Sequence, residues 1–252
     1  MKIISWNVNG IRAAYKNGGL QLVEKLKADI LCFQETKAKL QEFPSDLFLF
    51  RNYFSFVNSA KKSGYSGTAV YAKEKPKTIE TKLGFKRFDN EGRFLRLNYK
   101  NFVLINIYLP HGARDKSNLI YKLSAYDYLL KYLRLLKNQR IILIGDFNIA
   151  HQEIDLARPK QNKNNTMFTQ EERKKIDHLL DLGFVDTFRI FNKEGGNYTW
   201  WPYLANARER NLGWRIDYAF VSEPLTPKLQ NAFILSDIKG SDHCPIGIEI
   251  KP

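Results

Sequence analysis

Short runs of consecutive apolar residues restrict the fold of this sequence more than any other feature. Residues 141–144 and 103–105 are apolar at every position, which is typical of strands covered on both faces. In contrast, Leu95, Leu97 and Tyr99 alternate with polar residues, which is typical of a strand covered on one face. We therefore expect sheets that are covered by other layers.

Helices are predicted between the strands, because elsewhere apolar residues return every three or four positions. Strands are predicted at 2–6, 29–33, 67–72, 94–99, 102–109, 140–145, 217–221 and 246–250. The longest helical stripe comprises Leu119, Leu123, Tyr126, Leu130, Leu133 and Leu136. A second helix begins at Thr169, with Glu172 at the spacing of a capping box, and ends at Gly183. A third is predicted around residues 20–26.

Strands that alternate with helices, without a linker-like segment, predict an α/β fold in one continuous domain over residues 1–252. The polar stretch 158–166 is predicted to be an exposed loop. Cys32 and Cys244 stand in apolar surroundings far apart in the chain, so we expect two buried thiols and no disulfide.

The charge balance points to a polyanionic partner. Lys and Arg number 40 against 26 Asp and Glu, a formal net charge of +14. This excess attracts polyanions before any specific contact forms, so nucleic acid is the first candidate and an anionic membrane surface the second. The aliphatic runs are much too short to span a bilayer, and the first residues lack the apolar core of a signal peptide. We expect no membrane insertion and an intracellular location.

Acidic, amide and histidine residues follow the places where apolar strands end, in segments 5–10, 32–37, 144–148, 214–218 and 240–245. Each of these residues alone has a structural explanation, such as an Asn that turns the backbone. Strand ends, however, meet at one rim of a sheet. The carboxylates that would meet there are those of Glu35, Asp146, Asp217 and Asp242. They would repel one another without a cation, and hard oxygen ligands suit Mg²⁺ or Mn²⁺.

A divalent ion held by carboxylates in a basic protein predicts phosphoryl chemistry on nucleic acid. The metal neutralises phosphate charge while a carboxylate or a histidine activates water. The sequence contains no GxxxxGK[ST] loop, no GxGxxG after a strand and no GxSxG elbow, which argues against nucleotide triphosphatases, dehydrogenases and serine hydrolases.

At these residues the sequence resembles the exonuclease III family of apurinic/apyrimidinic endonucleases, within the metal-dependent endonuclease, exonuclease and phosphatase superfamily. The matching blocks are WNVNGIRA at 6–13, LCFQETK at 31–37, GYSGTAVY at 64–71, IYLPHGAR at 107–114, GDFNIAHQEIDL at 145–156, NARERNLGWRIDY at 206–218 and GSDHCPI at 240–246. The resemblance implies a four-layer α/β sandwich, in which two packed mixed β-sheets are flanked by helices and the active site lies at one rim.

The activity implied by the resemblance is base-excision repair of DNA. The expected reaction is hydrolysis of the phosphodiester 5′ to an abasic site, which leaves a 3′-hydroxyl and a 5′-deoxyribose phosphate. 3′-Phosphodiesterase and 3′ to 5′ exonuclease activities are expected as well. The expected partner is double-stranded DNA with abasic sites or blocked 3′ ends, bound by a monomer that is cytoplasmic and nucleoid-associated if the source is bacterial.

The resemblance also implies roles for individual residues. Glu35, Asn9 and Asp242 are similar to ligands of Mg²⁺, with Mn²⁺ as a substitute. Asn9 stands where some members of the family have Asp, so this metal site carries one negative charge fewer. His111 stands where relatives commonly carry Asn or Gln, which changes the expected contact with phosphate or base.

The chemical step is assigned in the same way. Asp146 resembles the carboxylate that orients or deprotonates the attacking water, and Asn7 is expected to hold it. Asn148 and Tyr108 are expected to hydrogen-bond the scissile phosphate. Asp217 and His243 resemble a dyad that contacts a phosphate oxygen as charge develops. Either Asp146 or the His243–Asp217 pair is then the general base, and we favour Asp146.

Substrate recognition is assigned to three further sets of residues. Trp200, Trp214 and Ile216 resemble an apolar pocket for a flipped-out sugar without its base, although core packing is an equally ordinary use of such Trp residues. Arg114 and Leu204 stand where relatives insert side chains into the duplex. Contacts with the DNA backbone are expected from Lys61, Lys62, Tyr65 and Arg12.

Two alternatives remain open from the sequence. A less specific nuclease or phosphodiesterase of the same superfamily would share the Asn, Glu, Asp-x-Asn and Asp-His elements. A noncatalytic DNA-binding module is disfavoured, because loss of catalysis is expected to leave at least one of those elements altered, and all of them are intact.

Overall fold

The computed structural model describes residues 1–44, 52–136 and 138–251. Its strands are β1 (Lys2–Asn7), β2 (Ile30–Gln34), β3 (Phe54–Asn58), β4 (Thr68–Ala72), β5 (Thr78–Glu80), β6 (Phe94–Asn98), β7 (Val103–Tyr108), β8 (Ile141–Asp146), β9 (Phe184–Asp186), β10 (Asp217–Ser222), β11 (Leu229–Ile234) and β12 (Ile246–Ile250). Its α-helices are α1 (Ile11–Lys16), α2 (Gly19–Glu24), α3 (Lys86–Asn90), α4 (Leu119–Leu135), α5 (Pro159–Asn162), α6 (Gln170–Asp181) and α7 (Thr187–Phe191).

The strands form two six-stranded sheets. The first sheet has the order β11-β12-β1-β2-β4-β3, and the second has the order β5-β6-β7-β8-β10-β9. Both are mixed: the central pairs β1/β2 and β7/β8 are parallel, and the strands outside them pair antiparallel. In each sheet the carboxyl ends of two parallel strands therefore point to the same edge.

The two sheets pack face to face with helices outside. An apolar cluster that includes Ile3 and Cys32 of the first sheet and Leu104 and Ile142 of the second fills the space between them. The outer face of the second sheet is covered by α4 and α6, and that of the first by α1 and α2. These layers confirm the predicted α/β sandwich.

The predicted strands are confirmed, with boundaries that differ by at most one residue from those observed. The strands that the sequence did not reveal are β3, β5, β9 and β11, which are the edge strands of the two sheets. Edge strands are partly exposed and often short, so they lack the continuous apolar run of a central strand. The strand β5, for example, has three residues, none of which is buried.

The longest predicted helices are confirmed as α4 and α6. Thr169 Oγ1 accepts a hydrogen bond from Glu172 N, and Glu172 Oε2 accepts one from Thr169 N, which is the predicted capping box. The expectation of a loop over 158–166 is wrong in part, because Pro159 begins the short helix α5. Within residues 1–44, 52–136 and 138–251, no helix is long and apolar enough to cross a membrane.

A buried ion pair joins the two long helices. Lys122 of α4 donates hydrogen bonds to Glu172 Oε1 of α6 and to the carbonyl oxygen of Asn148, each at 2.6 Å. Both charged side chains are completely buried. Burial by itself raises the pKa of the Glu172 carboxyl, but Lys122 and the backbone amides of Thr169 and Met167 lower it below its usual range. The pair thereby fixes α4, α6 and the segment that follows β8.

Replacement of Lys122 by Met is expected to lower the free energy of unfolding by about 3–5 kcal/mol, because it leaves the Glu172 carboxylate buried without its partner. Urea denaturation of the variant and of the parent protein measures this difference. Lys175→Met is the matched control, since Lys175 pairs with the exposed Asp127 between the same two helices and such pairs contribute about 1 kcal/mol or less. Equal losses for both variants would contradict the assignment.

Candidate active site

Polar side chains from both sheets meet at one rim of the sandwich. Asn7 ends β1, and Glu35 follows the last residue of β2. From the second sheet, Tyr108 ends β7 and Asp146 ends β8. Asp217 begins β10 directly opposite Asp146, because β10 runs antiparallel to β8. The predicted convergence of strand ends is therefore observed.

Asp146 lies at the centre of this rim and is 1% exposed. Its Oδ2 accepts hydrogen bonds from Asn7 Nδ2 at 2.8 Å and from Asn148 Nδ2 at 3.1 Å. Its Oδ1 accepts one from Asn148 N at 2.8 Å. Burial and the neighbouring Asp217 carboxylate raise the pKa of the Asp146 carboxyl to about 7. A carboxyl with such a pKa can accept a proton near neutral pH.

His243 pairs with Asp217 beside this carboxylate. His243 Nδ1 lies 2.8 Å from Asp217 Oδ2, and one ligand atom from each of His243, Asp217 and Asp146 lies within 4.8 Å of the other two. Burial alone would lower the pKa of the His243 imidazole, but Asp217, Asp146 and Asp242 outweigh it and raise this pKa to about 10. The imidazole is therefore a cation at neutral pH, with Nδ1–H donated to Asp217.

A chain of hydrogen bonds extends from Asp146 along the rim to Asp242. Asn7 Nδ2, which donates to Asp146, also lies 3.1 Å from Glu35 Oε2. The Lys37 ammonium lies 3.1 Å from Glu35 Oε1 and donates to Asn9 Oδ1. Asn9 Nδ2 donates to Asp242 Oδ1 at 2.8 Å. Carboxylate and amide oxygens without thiolates make a donor set that fits a hard divalent cation.

The backbone around these residues adopts an unusual conformation. Asn9, Glu35, Lys37 and Asn148 have φ values of 46°, 55°, 51° and 52°, in the left-handed region that non-glycine residues rarely occupy. Cross-chain hydrogen bonds hold part of this backbone, for example from Gly10 N to Glu35 O at 2.8 Å. Such conformations persist where the surrounding structure over-determines them, often at functional sites.

Arg93 is a residue of this site that the sequence did not reveal. Its guanidinium is 3% exposed and lies 4.3 Å from the centre of the Tyr108 ring. It donates to Glu91 Oε2 at 2.6 Å, to the Tyr108 carbonyl oxygen and to the Tyr65 hydroxyl. Arg93 thus fixes Tyr108 and joins it to Tyr65. In the sequence Arg93 directly precedes the apolar start of β6, which is only a weak signal for a buried cation.

Of the residues predicted to line an aromatic pocket, Trp200 contacts Asp242 directly. Trp200 is half-buried, and its Nε1 donates to Asp242 Oδ2 at 2.9 Å. Trp200 packs against a cluster that contains Trp214 and Ile216, both almost fully buried. Trp201 points to another cluster and donates to Asn211 Oδ1. Only one of the adjacent tryptophans therefore faces the site, as the alternation of an extended chain predicts.

The remaining predicted contact residues lie on the surface. Arg12, Lys61, Lys62 and Arg114 are exposed, and Leu204 is 73% exposed. Both cysteines are buried free thiols, as expected.

The Tyr65 hydroxyl and the His111 imidazole both accept hydrogen bonds within the protein. Tyr65 is 37% exposed, with Lys62 Nζ 5.4 Å from its ring centre. His111 is half-buried, and its Nδ1 accepts a hydrogen bond from Ala113 N at 3.0 Å. Burial and the nearby Lys122 lower the pKa of the His111 imidazole to about 4, so it is neutral at physiological pH.

Comparison with known proteins places this geometry in a family. The model of the endonuclease/exonuclease/phosphatase family matches residues 4–243. The chain is similar to an exodeoxyribonuclease of Bacillus subtilis, with 44% identity over 99% of each chain. It is also similar to the DNA repair nuclease APEX1 of Danio rerio, with 40% identity over 98% of this chain and 81% of that protein.

The fold is similar to that of a solved AP endonuclease from Archaeoglobus fulgidus. The TM-score is 0.90 at 30% sequence identity, and the match covers 100% of both chains. The likeness therefore extends over both sheets and the rim between them.

Replacement of Asp217 by Asn is expected to lower the pKa of the His243 imidazole from about 10 toward or below its ordinary value of about 6.5, because burial then acts without the paired carboxylate. NMR titration of the imidazole nitrogens in the metal-free protein measures this pKa. Asp29→Asn, which removes a carboxylate hydrogen-bonded to Lys2 N, is the control and should leave the titration unchanged. A His243 that titrates below pH 7 in the parent protein would refute the assigned charge.

Proposed function

The chain belongs to the endonuclease/exonuclease/phosphatase family, and on this premise we propose that it is a DNA-repair nuclease that incises double-stranded DNA 5′ to an abasic site. The products are a 3′-hydroxyl and a 5′-deoxyribose phosphate. One observation carries this proposal: the buried Asp146 carboxylate lies beside the charged His243, whose ring centre is 6.5 Å from that of Trp200.

Asp146 is the proposed general base. Its pKa, raised to about 7, suits it to take a proton from the attacking water, while Asn7 and Asn148 hold the carboxylate in place. His243 is a poor candidate for this step, because its raised pKa keeps both ring nitrogens protonated. Its Nε2–H instead donates to a phosphate oxygen as negative charge develops there. Asn148 and Tyr108 are proposed to contact the same phosphate.

A divalent cation is proposed at Glu35, Asn9 and Asp242, whose side chains are linked along the rim. Mg²⁺ is the expected ion and Mn²⁺ a substitute, because the donors are hard oxygens. When bound, the ion neutralises charge on the phosphate. Asn9 contributes a neutral amide oxygen, so fewer negative charges bind the ion than with a third carboxylate.

Selection of an abasic nucleotide is attributed to the pocket of Trp200, Trp214 and Ile216. In the structure Trp200 is half-buried and donates to Asp242, and it packs against the buried Trp214 and Ile216, so Trp200 is the exposed part of this apolar cluster. A sugar without its base fits such a pocket, whereas an intact nucleotide requires space for the base and partners for its polar edge. Arg114 and Leu204, both exposed, are proposed to enter the duplex as wedges.

Binding along the duplex is attributed to the net charge of +14 and to exposed cations near the rim. Arg12, Lys61 and Lys62 are proposed to contact phosphates. Tyr65 is proposed to do the same, held by Arg93. The following expectations remain predictions: repair of blocked 3′ ends, 3′ to 5′ exonuclease activity, a single catalytic domain over residues 1–252, a monomeric state and an intracellular location.

The direct test is cleavage of a labelled duplex that carries one abasic-site analogue, with and without Mg²⁺. We expect metal-dependent incision at the lesion, no cleavage of an undamaged duplex and loss of incision in Glu35→Ala, because that change removes the principal proposed metal ligand. Equal cleavage of both duplexes would indicate a less specific nuclease. Tight binding without cleavage would indicate a noncatalytic DNA-binding module.

The Asp146→Asn variant separates catalysis from binding. The amide keeps the size of the side chain but cannot accept a proton from water, so turnover of abasic DNA is expected to fall by about 100-fold or more. Affinity for the same DNA, measured by fluorescence anisotropy in Ca²⁺, is expected to change little. If binding and turnover fell by the same factor, the assignment of Asp146 as the base would be wrong.

A further inference from the structure

Lys37 lies between two of the side chains to which the metal is assigned. Its Nζ is 3.1 Å from Glu35 Oε1 and 2.5 Å from Asn9 Oδ1. Asn9 Nδ2 donates to Asp242 Oδ1, so the amide is oriented with its oxygen toward Lys37. The ammonium therefore already binds oxygens that a divalent cation would need.

An ammonium group and a divalent cation compete for such a site. Both are attracted to the same carboxylate and amide lone pairs, and the two positive charges repel each other at short distance. A metal ion that takes Glu35 and Asn9 as ligands would lie close to the Lys37 ammonium, and the repulsion between the two positive charges weakens the contacts of both cations with these oxygens.

We propose that Lys37 is the resident counter-cation of this site: its ammonium neutralises Glu35 and fixes Asn9 before a metal arrives, and it is displaced when the metal binds. This inference rests on the proposed metal site at Glu35, Asn9 and Asp242. It makes Lys37 a residue that weakens metal affinity while keeping the ligands of the metal-free protein in place.

The local structure permits this exchange without a change of fold. The backbone of Lys37 is held by a hydrogen bond from its amide to Ser66 O at 2.8 Å, and the adjacent Thr36 N donates to Gly67 O. The side chain is 33% exposed and has four rotatable methylene groups. The ammonium can therefore swing into solvent or toward a phosphate of bound DNA while its backbone stays fixed.

The first test is Mn²⁺ binding by the metal-free, full-length protein without DNA, followed by the EPR signal of free Mn²⁺. Lys37→Met and Lys37→Gln are both expected to bind Mn²⁺ about tenfold more tightly than the parent protein, because the competing charge is gone. Lys73→Met is the matched control: Lys73 pairs with Asp29 at the same 3.1 Å distance, away from the rim, and its loss should leave Mn²⁺ affinity unchanged.

The second test follows the Lys37 ammonium itself. Acylation of lysines with an N-hydroxysuccinimide ester, quantified by mass spectrometry, is expected to be slow at Lys37 in the metal-free protein and several-fold faster in saturating Mg²⁺. The rate at Lys73 provides the internal reference. Because the readout is chemical modification, it does not depend on nuclease activity.

The outcomes separate this inference from the metal site on which it rests. Loss of Mn²⁺ binding in Glu35→Gln, with tighter binding in both Lys37 variants and release of Lys37 by Mg²⁺, supports both. If Glu35→Gln loses binding but the Lys37 variants bind no more tightly, or Lys37 stays protected in Mg²⁺, the counter-cation role is overturned and the metal site stands. Unchanged binding in Glu35→Gln overturns the metal site itself.

Discussion

The site depends on the face-to-face packing of the two sheets, because neither sheet holds it alone. Asn7 belongs to the first sheet and Glu35 directly follows its strand β2, whereas Asp146 and Asp217 belong to the second sheet. The hydrogen bond from Asn7 Nδ2 to Asp146 Oδ2 crosses the boundary between them. Behind it, Gln34 Nε2 donates to Asn106 Oδ1 at 2.7 Å across the same boundary, and both amides are completely buried. A shift of one sheet against the other would leave these amides without partners inside the protein, which is costly, so the packing register and the geometry of the site are fixed together.

Burial and the surrounding carboxylates shift the pKa values of Asp146 and His243 in ways that give the two groups different charges at neutral pH. Asp146 is deprived of water and lies next to another carboxylate, so its pKa rises to about 7, as the proposed role of general base requires. His243 is equally buried but is surrounded by the carboxylates of Asp217, Asp146 and Asp242, so it stays protonated. The proposed roles of Asp146 as the base and of His243 as a protonated donor do not follow from the residue types, since a histidine is the more common general base. They follow from the number of negative charges around the imidazole. The same carboxylates are the reason why Asp146, and not His243, is the proposed general base.

The extent to which sequence predicted this structure varied with position in the fold. Central strands were found because burial on both faces leaves an apolar run, and polar residues at their ends were found because those runs stop abruptly. Edge strands such as β5 carry no such run. Arg93 and Lys122 are completely or almost completely buried, yet a charged residue in a sequence reads as a surface residue unless its partner is known. The partner of Lys122, Glu172, lies 50 positions away. Contacts of this kind depend on the tertiary fold, and local patterns do not encode them.

The charges at the rim also limit the repulsion among its carboxylates. Carboxylates gathered at one edge would repel one another and oppose folding. In this protein the Lys37 ammonium lies beside Glu35, and the His243 imidazolium lies beside Asp217. Because the pKa of the Asp146 carboxyl is raised to about 7, this group is partly protonated near neutral pH. Its protonation removes part of the remaining negative charge. Asp242 accepts hydrogen bonds from Trp200 and Asn9. Each carboxylate thus has a cation, a proton or hydrogen-bond donors supplied by the chain itself, which reduces the repulsion among the carboxylates of the rim.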